Sequence, residues 1–158
     1  MLKYFGIIAI LAGLVGVYSA YRKYAQRRLL EISSFIKLIS GIKEEIEVYS
    51  RPLGSYLSSF HDEALEAAGF NFSDVDASRA YNSARHRLSV GARADFVLDG
   101  FFSGLGSSGR DTEIAKCSLA IDKLCSIEGE DAEAIHKNEI SIGAISAAIG
   151  LSVTILII

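Results

Sequence analysis

Charged residues are missing from two stretches of this 158-residue chain, 5–21 and 140–158. As helices, these stretches would be roughly 26 and 28 Å long, and the hydrocarbon core of a bilayer is about 30 Å thick. A core helix of a globular protein normally carries a polar stripe, which neither stretch has. The sequence therefore predicts two membrane-spanning helices, the first of which needs its flanking residues to complete the crossing.

Signals for β-strands are scarce between the two stretches. Region 22–139 has no sustained alternation of apolar and polar residues, and Pro52 is the only proline of the chain. Its length suits one small domain with its own core. We therefore predict an all-α fold in three parts: an N-terminal transmembrane helix (1–21), a cytoplasmic helical bundle (22–139) and a C-terminal transmembrane helix (140–158).

The distribution of basic residues predicts the orientation. Arg22, Lys23, Arg27 and Arg28 directly follow the first span, and lysines and arginines near a span favour the cytoplasmic side. The middle region is then cytoplasmic, and both termini lie on the far side. An alternative interpretation is that the first 20 residues form a cleaved signal peptide, although the basic cluster would resist translocation.

Hydrophobic periodicity predicts a series of helices in the middle region. Their approximate bounds are 22–50, 52–69, 74–90, 93–105 and 111 onward. Ser73 is predicted to cap the third helix, and Gly69 to end the second in a left-handed conformation. The fourth helix is expected to bury Phe96, Val97 and Phe101, and the last helix to continue into the second span.

Residues suited to catalysis or metal binding are few and dispersed. Gly104, Gly106 and Gly109 have the spacing of a dinucleotide-binding loop, but a helix rather than a strand precedes them, so a turn is expected. The three histidines are scattered, and every acidic residue falls on a face expected to be solvated. Cys117 and Cys125, roughly 12 Å apart on one helix, are too distant for a disulfide. We predict no enzyme activity, no cofactor, no metal and no nucleic-acid partner.

Small residues recur at steps of four within the predicted spans. They are Ala12, Gly16 and Ala20 in the first span, and Gly143 and Ala147 in the second. Such faces let helix backbones approach closely in lipid, so they are candidates for transmembrane packing and oligomer formation. A pair of featureless anchors is the alternative.

Charge is unevenly distributed in the middle region. Residues 22–51 carry seven basic and four acidic side chains, whereas residues 92–139 carry five basic and ten acidic ones. The basic cluster can contact anionic lipid. The candidate residues for contact with partner proteins or lipid are Arg22, Lys23, Arg27, Arg28, Arg110 and Asp111.

Several short motifs, taken in order, resemble the stage III sporulation protein AB family over the full length. They are YRKYAQRR after the first span, Glu44-Glu45-Ile46, Pro52-Leu53, Leu105-Gly106-Ser-Ser, and His136-Lys-Asn138-Glu139 before the second span. The family's turn typically reads Leu-Gly-x-Ser-Asp with a glutamine four residues on. This chain departs from that pattern, with Gly109 and Glu113 at the two positions.

The resemblance implies a component of the channel complex that links mother cell and forespore in an endospore-forming bacterium, placed in the mother-cell membrane around the forespore. The family's soluble domain is similar to the F platform domains of type II secretion and type IV pilus systems. By that analogy the domain would join a cytoplasmic assembly ATPase to membrane subunits. Two alternatives remain open: a platform subunit unrelated to sporulation, and a membrane-bound sensor or enzyme that uses the glycine-rich loop or a histidine.

Overall fold

A computed structural model of the chain describes the backbone of residues 2–49, 53–70 and 76–157. Side chains are described in these ranges except at 2–11, 14, 143–144, 146–147 and 149–157. All regular structure in the described ranges is helical, which confirms the predicted all-α class. The α-helices are α1 (Leu2–Glu44), α2 (Leu53–Ser59), α3 (Glu63–Ala67), α4 (Ala77–Ala84), α5 (Gly91–Gly104) and α6 (Arg110–Ile157).

Two shorter helical turns complete this set. A π-helical turn, Glu45–Tyr49, follows α1, and a 3₁₀ turn, Arg85–Arg87, follows α4. Within the part of the chain that the structure describes, no helix combines the length and the apolar character that a membrane crossing requires.

The described chain divides into two compact units, Arg27–Glu130 and a pair of segments, Met1–Gln26 with Asp131–Ile158. The predicted three-part division of the chain stays a prediction. In the unit of paired segments, the Asn138 amide donates to the Tyr21 hydroxyl over 3.0 Å, and Arg22 Nε lies 3.1 Å from Glu139 Oε1. These contacts place the two segments side by side around residues 21–22 and 138–139.

The core of Arg27–Glu130 forms around one face of α1. The fully buried members of this face follow a helical spacing of three and four residues: Ile32, Phe35, Leu38, Ile39 and Ile42. An aromatic cluster surrounds Phe35, whose ring centroid lies 5.3 Å from that of Phe70 and 6.1 Å from those of Tyr81 and Phe102. These edge-on contacts bring α1, α4 and α5 together with the segment after α3.

The predicted helix over 52–69 is interrupted, which corrects the expectation from periodicity. α2 ends at Ser59, and α3 begins after Asp62, whose carboxylate accepts bonds from the backbone N–H groups of Ala64 (3.1 Å) and Leu65 (3.3 Å). A side chain that caps a helix start stops the preceding helix from continuing through it. Gly69 adopts φ +77°, as predicted for the residue that ends this segment.

The predicted helix over 74–90 is shorter than expected. α4 begins at Ala77 and ends at Ala84, and the predicted cap Ser73 lies outside the described residues. Leu88 is extended, with ψ 142°, and Gly91 takes φ +81° at the start of α5. Tertiary bonds explain the early end, because the backbone at Arg87 and Ser89 bonds to side chains of α1 instead of continuing a helix.

Candidate functional site

An open groove with an apolar floor lies between α5 and α6. It consists of two adjoining parts with volumes of about 490 and 310 Å³, which share Phe96, Val97 and Lys123. We call this surface the α5–α6 groove; Leu119, Ala120 and Ile127 complete its α6 wall. Phe96 is 78% exposed and Leu119 is 56% exposed, so the groove presents large apolar side chains to solvent.

The exposure of Phe96 contradicts the sequence prediction that this residue is buried. α5 buries Ala94, Leu98, Phe101 and Phe102, and a position two residues from Ala94 or Leu98 points to the opposite side of a helix. Phe101 is buried as predicted, and Val97 is partly buried. Apolar residues occur on both faces of α5, so the periodic pattern alone does not show that Phe96 lies on the exposed face.

Basic side chains outnumber acidic ones along the groove. Arg93, Lys116 and Lys123 line it together with one carboxylate, Asp99. Arg93 pairs with Glu130 over 2.6 Å, and Asp99 lies 3.5 Å from Arg85. Lys123 is exposed and has no hydrogen bond or ion pair with any residue that the structure describes. The groove therefore offers an apolar floor beside one cation, Lys123, that no described carboxylate neutralises.

Glu31 is fully buried, and its carboxylate joins α1 to the connection between α4 and α5. Its Oε1 accepts from Arg27 Nε over 2.8 Å, and its Oε2 accepts from the Ser89 backbone N–H over 2.5 Å. Arg27 Nη2 also donates to the Arg87 carbonyl over 3.1 Å. The expectation that every acidic residue is solvated is therefore wrong for Glu31, because a buried carboxylate is tolerated where charged and backbone donors satisfy it.

Glu113 is a second acidic residue for which the predicted solvated position is wrong. It is buried at the start of α6 and accepts from the Ser108 backbone N–H (3.0 Å) and from Lys116 Nζ (3.1 Å). Burial alone would raise the pKa of Glu113, but the bonds from Lys116 and from backbone N–H groups outweigh it and hold the pKa below its ordinary value.

The glycine-rich segment near Glu113 is a turn between two helices, as predicted. Lys116 Nζ donates to the Gly104 carbonyl over 3.0 Å, and Gly106 adopts φ +78°. The Ser108 N–H, which a phosphate would need, is already used by Glu113. A helix precedes this segment in the described chain, whereas a dinucleotide site requires a strand there.

A third polar cluster lies between α4 and α5. Tyr81 donates its hydroxyl to Asp95 Oδ1 over 2.6 Å, and Arg85 Nη2 donates to Asp95 Oδ2 over 2.5 Å. Burial raises the pKa of Tyr81, and its bond to Asp95 adds to the effect. Burial alone would raise the pKa of Asp95, but the bonds from Arg85 and Tyr81 reverse this and lower it. All three polar groups are satisfied internally, so the cluster holds the helices together.

The structure uses several of the predicted contact residues internally. Arg22 pairs with Glu139, Arg27 bonds to Glu31, and Arg28 packs its guanidinium against Gly91. Arg110 donates to the carbonyls of Ile46 (3.1 Å) and Glu47 (2.5 Å), so it caps the end of the π-helical turn.

The remaining predicted contact residues are Lys23 and Asp111, which are exposed. No hydrogen bond or ion pair connects either side chain to a residue that the structure describes. Among the predicted packing residues of the spans, Ala12, Gly16 and Ala20 are exposed, whereas Gly143 and Ala147 lie where side chains are outside the described set. The roles of all these residues stay predictions.

The described cysteines and histidines do not belong to a cluster of potential metal ligands. Cys117 is buried, burial raises its pKa to about 11, and Cys125 is exposed; both are free. His61 Nδ1 lies 3.0 Å from Glu66 Oε1 at the surface. In the described ranges, no group of three or more potential ligands from histidine, cysteine, aspartate and glutamate comes together.

These features define a class of helical protein whose accessible site is an open surface and whose buried carboxylates bond to basic side chains and backbone N–H groups. The chain belongs to the stage III sporulation protein AB family, whose family model matches residues 3–158. Membership implies a role in sporulation, and the family is not a known enzyme family. No curated protein and no solved structure matches the chain.

Proposed function

We propose that the protein is a non-enzymatic membrane scaffold in the channel complex between mother cell and forespore, and that Arg27–Glu130 docks partner proteins. The α5–α6 groove is the observation that carries this proposal. An apolar surface that is exposed, contiguous and rimmed by charge is typical of a surface that another protein covers. The buried carboxylates support the same interpretation, because Glu31 and Glu113 are bonded internally and have no access to a substrate.

Membrane insertion is supported by the sequence. The two charge-free stretches are long enough to cross a bilayer, and the family match extends over both of them. Basic residues directly after the first stretch favour a cytoplasmic location for the helical unit. We place the protein, as a multi-pass membrane protein, in the mother-cell membrane around the forespore.

The proposed partners are other subunits of the channel complex, including a cytoplasmic assembly ATPase, and membrane lipid. Lys23 is suited to contact anionic lipid and Asp111 to contact a protein, since both are exposed and no described residue satisfies them. The small-residue faces of the spans, with Gly16 and Gly143, would pack in a homo- or hetero-oligomer.

Co-purification tests the proposal. The tagged full-length chain is extracted in detergent from membranes of sporulating cells, and the bound proteins are identified. Replacing Phe96→Glu together with Leu119→Glu should reduce the recovered subunits about tenfold, which corresponds to the loss of one strong contact. The matched control is Leu30→Glu, an exposed apolar residue of α1 outside the groove. Full recovery with the double variant, or equal loss with the control, would contradict the proposal.

A further inference from the structure

A second exposed apolar surface in Arg27–Glu130 lies where the π-helical turn ends. Val48 is 64% exposed, and Tyr49 is half exposed beside it. Glu44, the last residue of α1, and Glu47, within the π-helical turn, are also exposed. We call these four residues the 44–49 surface. Phe96 and Val48 are the two most exposed large apolar residues among the described side chains of this unit.

The 44–49 surface and the α5–α6 groove are complementary in both charge and polarity. Neither the Glu44 nor the Glu47 carboxylate forms an ion pair with a residue that the structure describes. The groove has an exposed lysine, Lys123, which likewise forms no ion pair with a described residue. It lies next to the apolar side chains of Phe96 and Leu119. Opposite charges that flank two apolar surfaces favour their association and fix its orientation.

The two surfaces of one chain do not meet. Arg110, the first residue of α6, binds the carbonyls of Ile46 and Glu47, which fixes the 44–49 surface at the start of that helix. Leu119 and Lys123 lie farther along α6, roughly 14 and 20 Å from Arg110 at about 1.5 Å per residue. Within one chain, neither surface therefore covers the other, and both stay available to a second molecule.

We propose that the α5–α6 groove of one copy receives the 44–49 surface of another copy, with Val48 against Leu119 and the carboxylates near Lys123. This inference rests on the proposed function, in which protein covers the groove, and it names the occupant as a second copy of this chain. Where only one such contact joins two copies, the contact is head-to-tail, because the two surfaces differ. Such a contact extends an assembly into a ring or a filament instead of closing a two-fold dimer.

Disulfide trapping between two differently tagged full-length chains tests the contact. One chain carries Val48→Cys and the other Leu119→Cys, and both carry Cys125→Ser so that the exposed native thiol does not react. After mixing in detergent and mild oxidation, a disulfide dimer that contains both tags is expected, several-fold more abundant than with the matched control Lys37→Cys in place of Val48→Cys. Lys37 is exposed on α1, roughly 16 Å from Val48 along the helix at about 1.5 Å per residue.

A second measurement tests the charges. Adding Lys123→Glu to the Leu119→Cys chain should lower the dimer yield about three- to fivefold, the size of one partly exposed ion pair. Lys37→Glu, added to the same Leu119→Cys chain instead of Lys123→Glu, should leave the dimer yield unchanged.

Two outcomes would overturn the proposal. One is a dimer yield no higher than that of the Lys37→Cys control. The other is that Leu119→Cys, in membranes of sporulating cells, is trapped by a different subunit and not by Val48→Cys. In both cases the co-purification result with Phe96→Glu and Leu119→Glu still decides independently whether the groove docks a protein.

Discussion

At the scale of single residues, Arg27 shows how a basic side chain beside a predicted span can serve the fold. Its side chain is 49% exposed, yet its guanidinium bonds to the buried Glu31 carboxylate and to the Arg87 carbonyl. Removing Arg27 leaves a fully buried carboxylate with the Ser89 N–H as its one remaining donor among the described residues. An uncompensated buried charge is costly. We therefore expect a substitution of Arg27 to lower the stability of the fold first, and to affect docking only as a consequence.

We expect Arg27→Ala to lower the free energy of unfolding by about 2–4 kcal/mol. Lys37→Ala, an exposed substitution on the same helix, should change it by less than about 0.5 kcal/mol. Chemical denaturation of the full chain in detergent measures both values. Equal stability of the two variants would show that Glu31 does not depend on Arg27.

The lowered pKa of Asp95 gives a pH-dependent prediction. The unfolded-state pKa of an aspartate is about 3.9, and the folded-state pKa of Asp95 lies below its ordinary value. The stability that Asp95 contributes is therefore fully present above about pH 4 and is lost as the pH falls through the folded-state pKa. Asp95→Asn should be less stable at neutral pH and should show a smaller loss of stability below about pH 4.

Melting temperatures at a series of pH values measure this effect. The matched control is Asp122→Asn, an exposed carboxylate on α6, which should keep the acid sensitivity of the unsubstituted chain. If Asp95→Asn and the unsubstituted chain lose stability in parallel on acidification, the network of Tyr81, Arg85 and Asp95 does not act as described.

At the scale of elements, Arg110 connects the start of α6 to the end of the π-helical turn. Two of its nitrogens bond to two successive carbonyls, which a lysine ammonium cannot reproduce with the same geometry. We expect both Arg110→Ala and Arg110→Lys to reduce the hydrogen-exchange protection of amides in Glu45–Tyr49. The reduction should be about five- to thirtyfold for the alanine variant, and smaller for the lysine variant.

The matched control for Arg110 is its neighbour, Asp111→Ala, which removes an exposed side chain at the same helix start. It should leave the protection in Glu45–Tyr49 unchanged. Unchanged protection in Arg110→Ala would mean that the π-helical turn is held by other contacts.

The elements also show how far the sequence could predict the fold. The bounds of α5, the turn before α6 and the left-handed Gly69 followed from periodicity and local backbone preference. The break between α2 and α3 and the early end of α4 did not, because a side-chain cap at Asp62 and bonds from α1 to Arg87 and Ser89 determine them. Such bonds join residues far apart in the sequence, where periodicity carries no signal.

The candidate site was less predictable than the fold. Charge near the first span pointed to Arg27, and expected exposure in a turn pointed to Arg110, but both form internal bonds. Phe96 was expected in the core and instead lies on the most exposed part of the groove. A helical wheel of α5 that gave priority to Ala94 and Leu98 would have placed Phe96 outside. Lys116 pairs with Glu113, whereas Lys123 has no ion pair with a described residue, and only tertiary structure shows this difference.

At the scale of the whole molecule, the account depends on the location of Arg27–Glu130. If this unit is cytoplasmic and membrane-attached, its groove is available to cytoplasmic partners and to other copies in the same membrane. The native cysteines can report this location, since Cys125 is exposed and Cys117 is buried with its pKa raised by burial to about 11. At neutral pH Cys117 is protonated and inaccessible, so the folded chain presents one reactive thiol.

The most direct test is labelling of Cys125 with a membrane-impermeant maleimide, in intact and in permeabilised cells that express the chain in the cytoplasmic membrane before any forespore forms. A chain with Lys3→Cys and Cys125→Ser is the matched control, because its thiol is predicted to lie on the outer side. The account predicts that Cys125 is labelled only after permeabilisation, while the control thiol is labelled in intact cells. Labelling of Cys125 in intact cells, to the same extent as the control, would contradict it.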